Sequence, residues 1–172
     1  SLSWEMITKC PAAGYYFGGG GGIANAIVGS LYLAGTATVL AFILSLAVAT
    51  FLQTEYSGRR LASLIRLVLE LLWGIPSIVY GVFCFIIMVW LGISTSLLAG
   101  IIALTLLEIP ILTRAVDEVI RAVPADLKTT AYSLGSNKFE TAARVVWRQA
   151  ALGILSGALL AFGRGIGDAA SI

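Results

Sequence analysis

The sequence predicts an all-α, polytopic bundle of transmembrane helices, and two observations carry that prediction. The first is composition: of 172 residues, 59% are hydrophobic and 12% charged, with a mean hydropathy of +0.96, where ordinary soluble domains hold about 25% charged residues. The second is placement. No charged residue lies between Lys9 and Glu55, or between Glu70 and Glu108. Because about 20 apolar residues cross a bilayer core, the first gap holds one span and the second has room for two.

Residues 1–22 end in the run FGGGGG. Each glycine inside a helix costs about 1 kcal/mol relative to alanine, so this stretch reads as a loop leading into the membrane. The first span is expected at about 25–52. It is followed by QTEYSGRRLASLIR, in which Arg59, Arg60 and Arg66 face a single acid, Glu55. The second span is expected at about 71–90, a short LGIST turn leads to the third at about 97–113, and the fourth is expected at about 150–166.

Between the third and fourth lies a polar segment, 114–149, carrying Arg114, Arg121, Lys128, Lys138, Arg144 and Arg148. Cytoplasmic loops hold the excess of Lys and Arg. Residues 53–70 and 114–149 are therefore both expected in the cytoplasm, with 1–22, the 92–96 turn and the C-terminal end on the other side. Inside the segment, VPADLKTTAYSLG and NKFETAARVVWR read as two short helices hinged at Gly135, with Asp126 after Pro124 as an N-cap candidate. The second helix sets Phe139, Ala142, Ala143, Val146 and Trp147 on one apolar side. Periodicity leaves two readings open here: a solvated connector, or a surface that docks a partner or a membrane.

Ionisable residues inside spans are costly to bury and are candidates for function. Arg164 follows fifteen uncharged positions and stands four before Asp168, so the two share a helix face. A guanidinium offers a planar fork of donors that matches an oxyanion, and Asp168 can orient that fork or accept a proton carried by the anion. The competing reading is an intramembrane ion pair or a side chain snorkelling from a helix end. Arg114, at the end of the third span, is either a pathway residue or a positive-inside anchor. Glu108 would repel an anion and is read as a local oddity outside the site. Gly74, Pro76 and Gly81 break helix regularity in GIPSIVYG. There Ser77 and Tyr80 either lend hydroxyls to a pathway or belong to a packing kink. Gly153, Gly157, Ala161 and Gly165 recur every four residues, a ladder that lets helices approach closely.

Enzyme classes find no footing. The chain has no histidine and no GxxxxGK[ST], HExxH, CxxC or GxSxG pattern, so no catalytic residue, metal site or cofactor is expected, and ATP would have to be bound by a separate subunit. Cys10 and Cys84 read as packing residues in preference to a disulfide or metal site. A net charge of +2 gives no indication of nucleic acid. The chain opens without an initiator Met and stops just after a span, and is expected to be a fragment, a single transmembrane domain over 1–172 cut at both ends.

TTAYSLGSNKFETAARVVWR resembles the EAA loop of ABC importer permeases, the cytoplasmic segment whose glycine-centred helix pair sits in a groove of the ATP-hydrolysing subunit. Upstream, GGIANAIVGSLYLAGTATVLAFILSLAVATFLQTEY and GIPSIVYGVF, and downstream LGILSGALLAFGRGIGDAAS, are similar to the permease subunits of phosphate-importing ABC transporters, PstA type. The resemblance runs in order from about Gly21 to the end. It implies a type I importer permease fold, of which this chain holds about four of six spans. It also implies a subunit of an inner-membrane importer of phosphate, working with a second permease subunit, ATP-binding cassette subunits and an extracytoplasmic phosphate-binding protein. By the same resemblance Arg164 aligns with the family's pathway arginine and Arg114 with one near the path, while Thr129, Ala131, Gly135, Lys138 and Phe139 fall in the ATPase-docking loop. Thr129 stands where the family usually has Glu, Trp147 and Arg148 where it has LP, and Asp168, Ala169 and Ser171 where it has Glu, Thr and Pro. The alternatives are a permease for another oxyanion, molybdate or sulfate, and a membrane scaffold that holds a partner without transporting.

Overall fold

The structure is a computed structural model that describes residues 7–9, 22–53, 56–92 and 96–169. Cys10, the glycines at 18–21, residues 93–95 of the expected turn and Ser171 lie outside the described residues. The main elements are α1 (Ala24–Phe51), α2 (Arg59–Trp73), α3 (Ser77–Trp90), α4 (Leu97–Arg121), α5 (Ala125–Ser133) and α6 (Lys138–Thr141). A π-helical turn at Ala142–Val146 joins α6 to α7 (Trp147–Asp168).

Three helical runs are long and apolar enough to cross a membrane: α1, α4 and the 31-residue stretch Lys138–Asp168. Helices α2 and α3 pass that test only as a pair, and they are bent by 96° at their junction. The second span expected at 71–90, with its helix regularity broken at Gly74 and Pro76, is therefore an elbow that begins earlier, at Arg59. Pro76 lacks an N–H and clashes with a continuing helix, and it disfavours helical geometry at Ile75 before it. The chain leaves α2 at Gly74, and Pro76 starts α3 from an extended conformation (φ −59°, ψ 141°). The Tyr80 hydroxyl closes the corner by donating to the Leu72 carbonyl at 3.0 Å.

Helix α1 has 28 residues, about 42 Å at 1.5 Å per residue, enough to cross a core of about 30 Å. It buries Ala34, Ala37, Thr38, Ala41, Ser45 and Ala49, one stripe of small side chains. Helix association in lipid rests on close packing, and such a stripe permits it. The partner is α4, which supplies Leu104, Leu107, Ile111, Leu112, Val116 and Ile120 to the core. Ser45 adds a bond from its hydroxyl to the Ile109 carbonyl at 3.2 Å, beside Pro110. The third span thus continues past 113 to Arg121, because Val116 and Ile120 bury on the same face as Leu112. The first turns of the polar segment are helix, not loop.

Helix α7 packs against both α1 and α4, and meets α4 through its glycine ladder. A Cβ added at Gly153 would run into Val119, one at Gly157 would sit 3.2 Å from the Ala115 Cβ, and one at Gly165 would run into the Glu108 carboxylate. The partners step backward along α4 by four and then seven positions as the glycines step forward, an antiparallel mesh. Gly153→Ala is accordingly expected to destabilise the bundle by about 1–3 kcal/mol, the usual range for overpacking. Val119→Ala in the same chain should recover most of that loss, as read by thermal unfolding in detergent. Equal stability of Gly153→Ala and the parent would show that the two helices do not mesh there.

The remaining polar segment is two helical pieces around a turn. Pro124, not Asp126, is the N-cap of α5; Asp126 lies in the first turn, where a carboxylate favours the positive end of the helix dipole. The turn at Gly135 is a C-terminal cap. Ser136 N–H donates to the Ala131 carbonyl at 3.1 Å and Gly135 N–H to Tyr132 at 3.0 Å, with Gly135 at φ +85°. This is the Schellman arrangement, which calls for a left-handed residue at that position. Asn137 and Glu140 then cap the next helix reciprocally, Glu140 N–H on Asn137 Oδ1 at 2.8 Å and Asn137 N–H on Glu140 Oε2 at 3.2 Å. The helix so begun continues through the π turn into α7, held to α1 by Trp147 Nε1 donating to Thr50 Oγ1 at 3.1 Å.

Candidate functional site

Arg114 and Arg164 line one cleft of about 230 Å³ together with Trp73, Ile111, Glu118 and Leu160. Arg164 enters from the last turns of α7 and Arg114 from α4, brought together by the mesh of those helices. Arg164 Nε lies 3.3 Å from Asp168 Oδ2, the i to i+4 pair expected from the spacing. Arg114 Nη1 lies 3.1 Å from Glu70 Oε1, and its guanidinium stacks over the Trp73 ring at 5.0 Å from the centroid. Both arginine side chains stay about two-fifths exposed (43% and 41%), so each has donor edges that a solute can reach. Two planar forks lining one cleft suit a tetrahedral oxyanion, which accepts hydrogen bonds on several sides at once.

The other expected pathway residues sit elsewhere. Pro76, Ser77 and Tyr80 do not line this cleft. The Tyr80 hydroxyl is engaged across the elbow, so of the two readings of GIPSIVYG the packing kink is the one its bonding supports. Asp168 does not line this cleft either, and meets it only through its contact with Arg164.

Two groupings escaped the sequence reading. Asp117 on α4 accepts from Arg66 Nε at 2.7 Å and Nη2 at 3.1 Å and from Gln53 Nε2 at 3.0 Å, while Arg66 Nη2 also donates to the Leu52 carbonyl at 2.8 Å. One carboxylate so ties the end of α1 and the middle of α2 to α4. The second is Glu108, fully buried at the crossing of α1, α4 and α7. Its Oε1 accepts from the Thr38 hydroxyl at 3.2 Å, and its Oε2 has no partner among the described residues. The room it occupies is the space left by the missing side chain of Gly165.

In the polar segment, Ala131 is buried and Thr129, Lys138 and Phe139 are exposed. Thr129 Oγ1 donates back to the Asp126 carbonyl at 3.0 Å. The apolar side expected for the second helix is split. Ala142 and Val146 are buried and Trp147 partly so, but Phe139 is 69% exposed, because the π turn offsets the residues after it by one position. With Leu134 at 83% exposure, two large apolar side chains stand outward on either side of Gly135. Isolated apolar residues on a surface need no explanation, but a pair flanking a capped turn forms a small presented patch.

This helical architecture places the chain among the permease-type bundles of ABC transporters. It superposes on the MetNI methionine ABC transporter in its inward-facing conformation with a TM-score of 0.79 over 87% of this chain and 72% of that one, at 20% identity. An amino acid ABC transporter crystallised with histidines gives 0.66 over 82% and 65%, at 21% identity. At these identities the likeness is one of fold. Residues 41–172 match the family described as binding-protein-dependent transport system inner membrane component, and the chain belongs to that family. It is 39% identical over 153 residues to the phosphate transport system permease protein PstA 1 of Mycobacterium tuberculosis, covering 88% of this chain and 50% of that protein. It is also 39% identical over 155 residues to the phosphate transport system permease protein PstA of Yersinia pestis (89% and 52%). Against the probable ABC transporter permease protein YqgI of Bacillus subtilis it is 31% identical over 172 residues (99% and 58%). The chain spans about half the length of the curated relatives it matches.

Proposed function

We propose that the chain is the greater part of the transmembrane domain of a permease subunit in an ATP-driven importer of inorganic phosphate in the cytoplasmic membrane. The observation that carries this reading is the convergence of Arg114 and Arg164 on one cleft within a membrane bundle. Its support from relatives is that proteins named as phosphate permeases match most of the chain. Arg164 is the principal anion ligand, oriented by Asp168, and Arg114 is the second ligand. The segment 114–149 contributes the ATPase-docking surface, with Leu134 and Phe139 as its apolar contacts and Thr129, Ala131, Gly135 and Lys138 around them. A second permease subunit, two ATPase subunits and an extracytoplasmic phosphate-binding protein complete the assembly, and the lipid bilayer surrounds it. Labelled phosphate uptake by cells carrying the full-length subunit with its partners tests the reading, with unlabelled phosphate, sulfate and molybdate as competitors. Competition by phosphate alone supports it; preferential competition by sulfate or molybdate replaces it with the other oxyanion; absence of uptake in an assembled complex leaves a scaffold.

Orientation is a separate expectation. By the excess of Lys and Arg, 53–70 and the part of 114–149 that follows the end of α4 at Arg121 are expected in the cytoplasm. A cysteine introduced by Ser136→Cys should resist a membrane-impermeant maleimide in intact cells and react once the membrane is opened. Labelling in intact cells would invert the topology and remove the docking role of the Gly135 turn.

A further inference from the structure

We propose that Glu70 is a built-in counter-ion of the anion site: in the empty protein its carboxylate takes the edge of Arg114 that an oxyanion takes on binding, and so sets the affinity of the site. The inference rests on the anion-transport reading of Arg114. Two side chains of α2 meet that guanidinium, Glu70 as an ion pair 3.1 Å from Nη1 and Trp73 on its face. An anion can share Arg114 with the aromatic face, because cation–π and hydrogen-bonding contacts use different directions of the group. It cannot share the edge with Glu70.

Position adds to the argument. Arg114 lines the 230 Å³ cleft that holds Arg164 and also a second cleft of about 260 Å³ that holds Arg66 and Arg121. A solute passing between the two clefts therefore passes Arg114. In the second cleft Arg66 is held by Asp117 in a short two-pronged pair, one oxygen of which is shared with Gln53. The Glu70 pair is a single contact, with the two side chains 43% and 59% exposed. Exposed single pairs are weak and salt-screened, so a phosphate dianion, with more charge and more acceptor oxygens than a carboxylate, displaces this one and not the other. Glu70 and Trp73 occupy the last turn of α2, directly before the 96° elbow. Release of Glu70 thus loosens the one ion pair that, among the described residues, fastens that turn to α4.

Glu118 supplies the control. It lines both clefts, and among the described residues it pairs with no cation. If mere negative charge lowered affinity, Glu70 and Glu118 would act alike; if occupation of the Arg114 edge matters, only Glu70 does.

The test uses the full-length permease complex with a fluorotryptophan at position 73, whose fluorine resonance reports anion arrival at Arg114. Phosphate, sulfate and molybdate are titrated separately at fixed ionic strength. Glu70→Gln is expected to tighten binding of whichever anion moves the signal by about two- to fivefold, the range a pair of this kind supports. Glu70→Asp should stay near the parent and Glu118→Gln should change less than Glu70→Gln. Glu70→Ser carries the same expectation as Glu70→Gln and serves if the Gln variant does not assemble. An unchanged midpoint in the assembled Gln or Ser variant, or equal tightening in Glu118→Gln, overturns the counter-ion and leaves the anion site standing. No movement of the signal with any of the three anions, in parent and variants alike, overturns the inference and the anion site together.

Discussion

Arg164→Lys is expected to lower labelled phosphate uptake about tenfold or more in a complex that still inserts and assembles. Lysine keeps the positive charge, so a residue that served only as an anchor would tolerate the change. What lysine lacks is the Nε donor that reaches Asp168 at 3.3 Å, together with the planar edge that is left for a ligand. A lysine ammonium can turn to Asp168 or to the anion, but it presents no second edge in a fixed direction. Hydrogen bonds to charged groups contribute about 1.5–3 kcal/mol, and about 1.4 kcal/mol is a factor of ten, so losing one well-aligned bond suffices for the expected fall. Asp168→Asn should impair uptake less than Arg164→Lys where Asp168 only orients the guanidinium, and about equally where it accepts a proton-bearing phosphate oxygen. Uptake at the parental rate by Arg164→Lys in a complex shown to be assembled would remove Arg164 from the pathway and leave a snorkelling side chain.

What could be read from the sequence was what is written in local spacing. Charge-free runs located α1, α4 and α7 because burial in lipid excludes charge over a length fixed by the bilayer. The four-residue recurrence of Gly153, Gly157, Ala161 and Gly165 gave a helix face, and that face meets α4. The glycine at 135 marked a turn. Its nature as a helix cap and not a free hinge depends on the left-handed φ and on the bonds to Ala131 and Tyr132.

The elbow shows where local spacing ends. Gly74 and Pro76 signal a break, but a break in apolar sequence fits a shallow kink as well as a 96° corner, and the angle is settled by what α2 packs against. The same limit hid the polar pairs. Arg66 meets Asp117 from 51 positions away, and Arg114 meets Glu70 from another helix, contacts that no periodicity announces. Glu108 looked out of place because its neighbours in sequence are apolar. Its neighbours in space are the Thr38 hydroxyl and the gap at Gly165, both supplied by other helices.

Gly135→Val is expected to abolish partner-stimulated ATP hydrolysis while leaving the subunit inserted and bound to its permease partner. Nothing lies within 4 Å of where a Cβ would sit at Gly135, so bulk is not the obstacle. The obstacle is φ +85°, which costs an ordinary L residue about 1–3 kcal/mol and a β-branched one at the upper end of that range. Valine can relieve the strain only by leaving the left-handed region, which breaks the bonds to Ala131 and Tyr132 and swings α5 relative to the capped start of α6. Leu134 and Phe139, standing outward on either side of the turn, would lose the spacing that the proposed docking surface needs. The bundle itself would not feel the change, because no residue of its buried core clusters lies between Val123 and Val146. Gly135→Asn, which tolerates the left-handed region, should keep most of the stimulation, and Thr129→Glu, restoring the acid usual in the EAA loop, should maintain or raise it. Full stimulation in Gly135→Val would mean that the turn only connects α5 to α6, and the docking surface would have to be sought on another part of the segment.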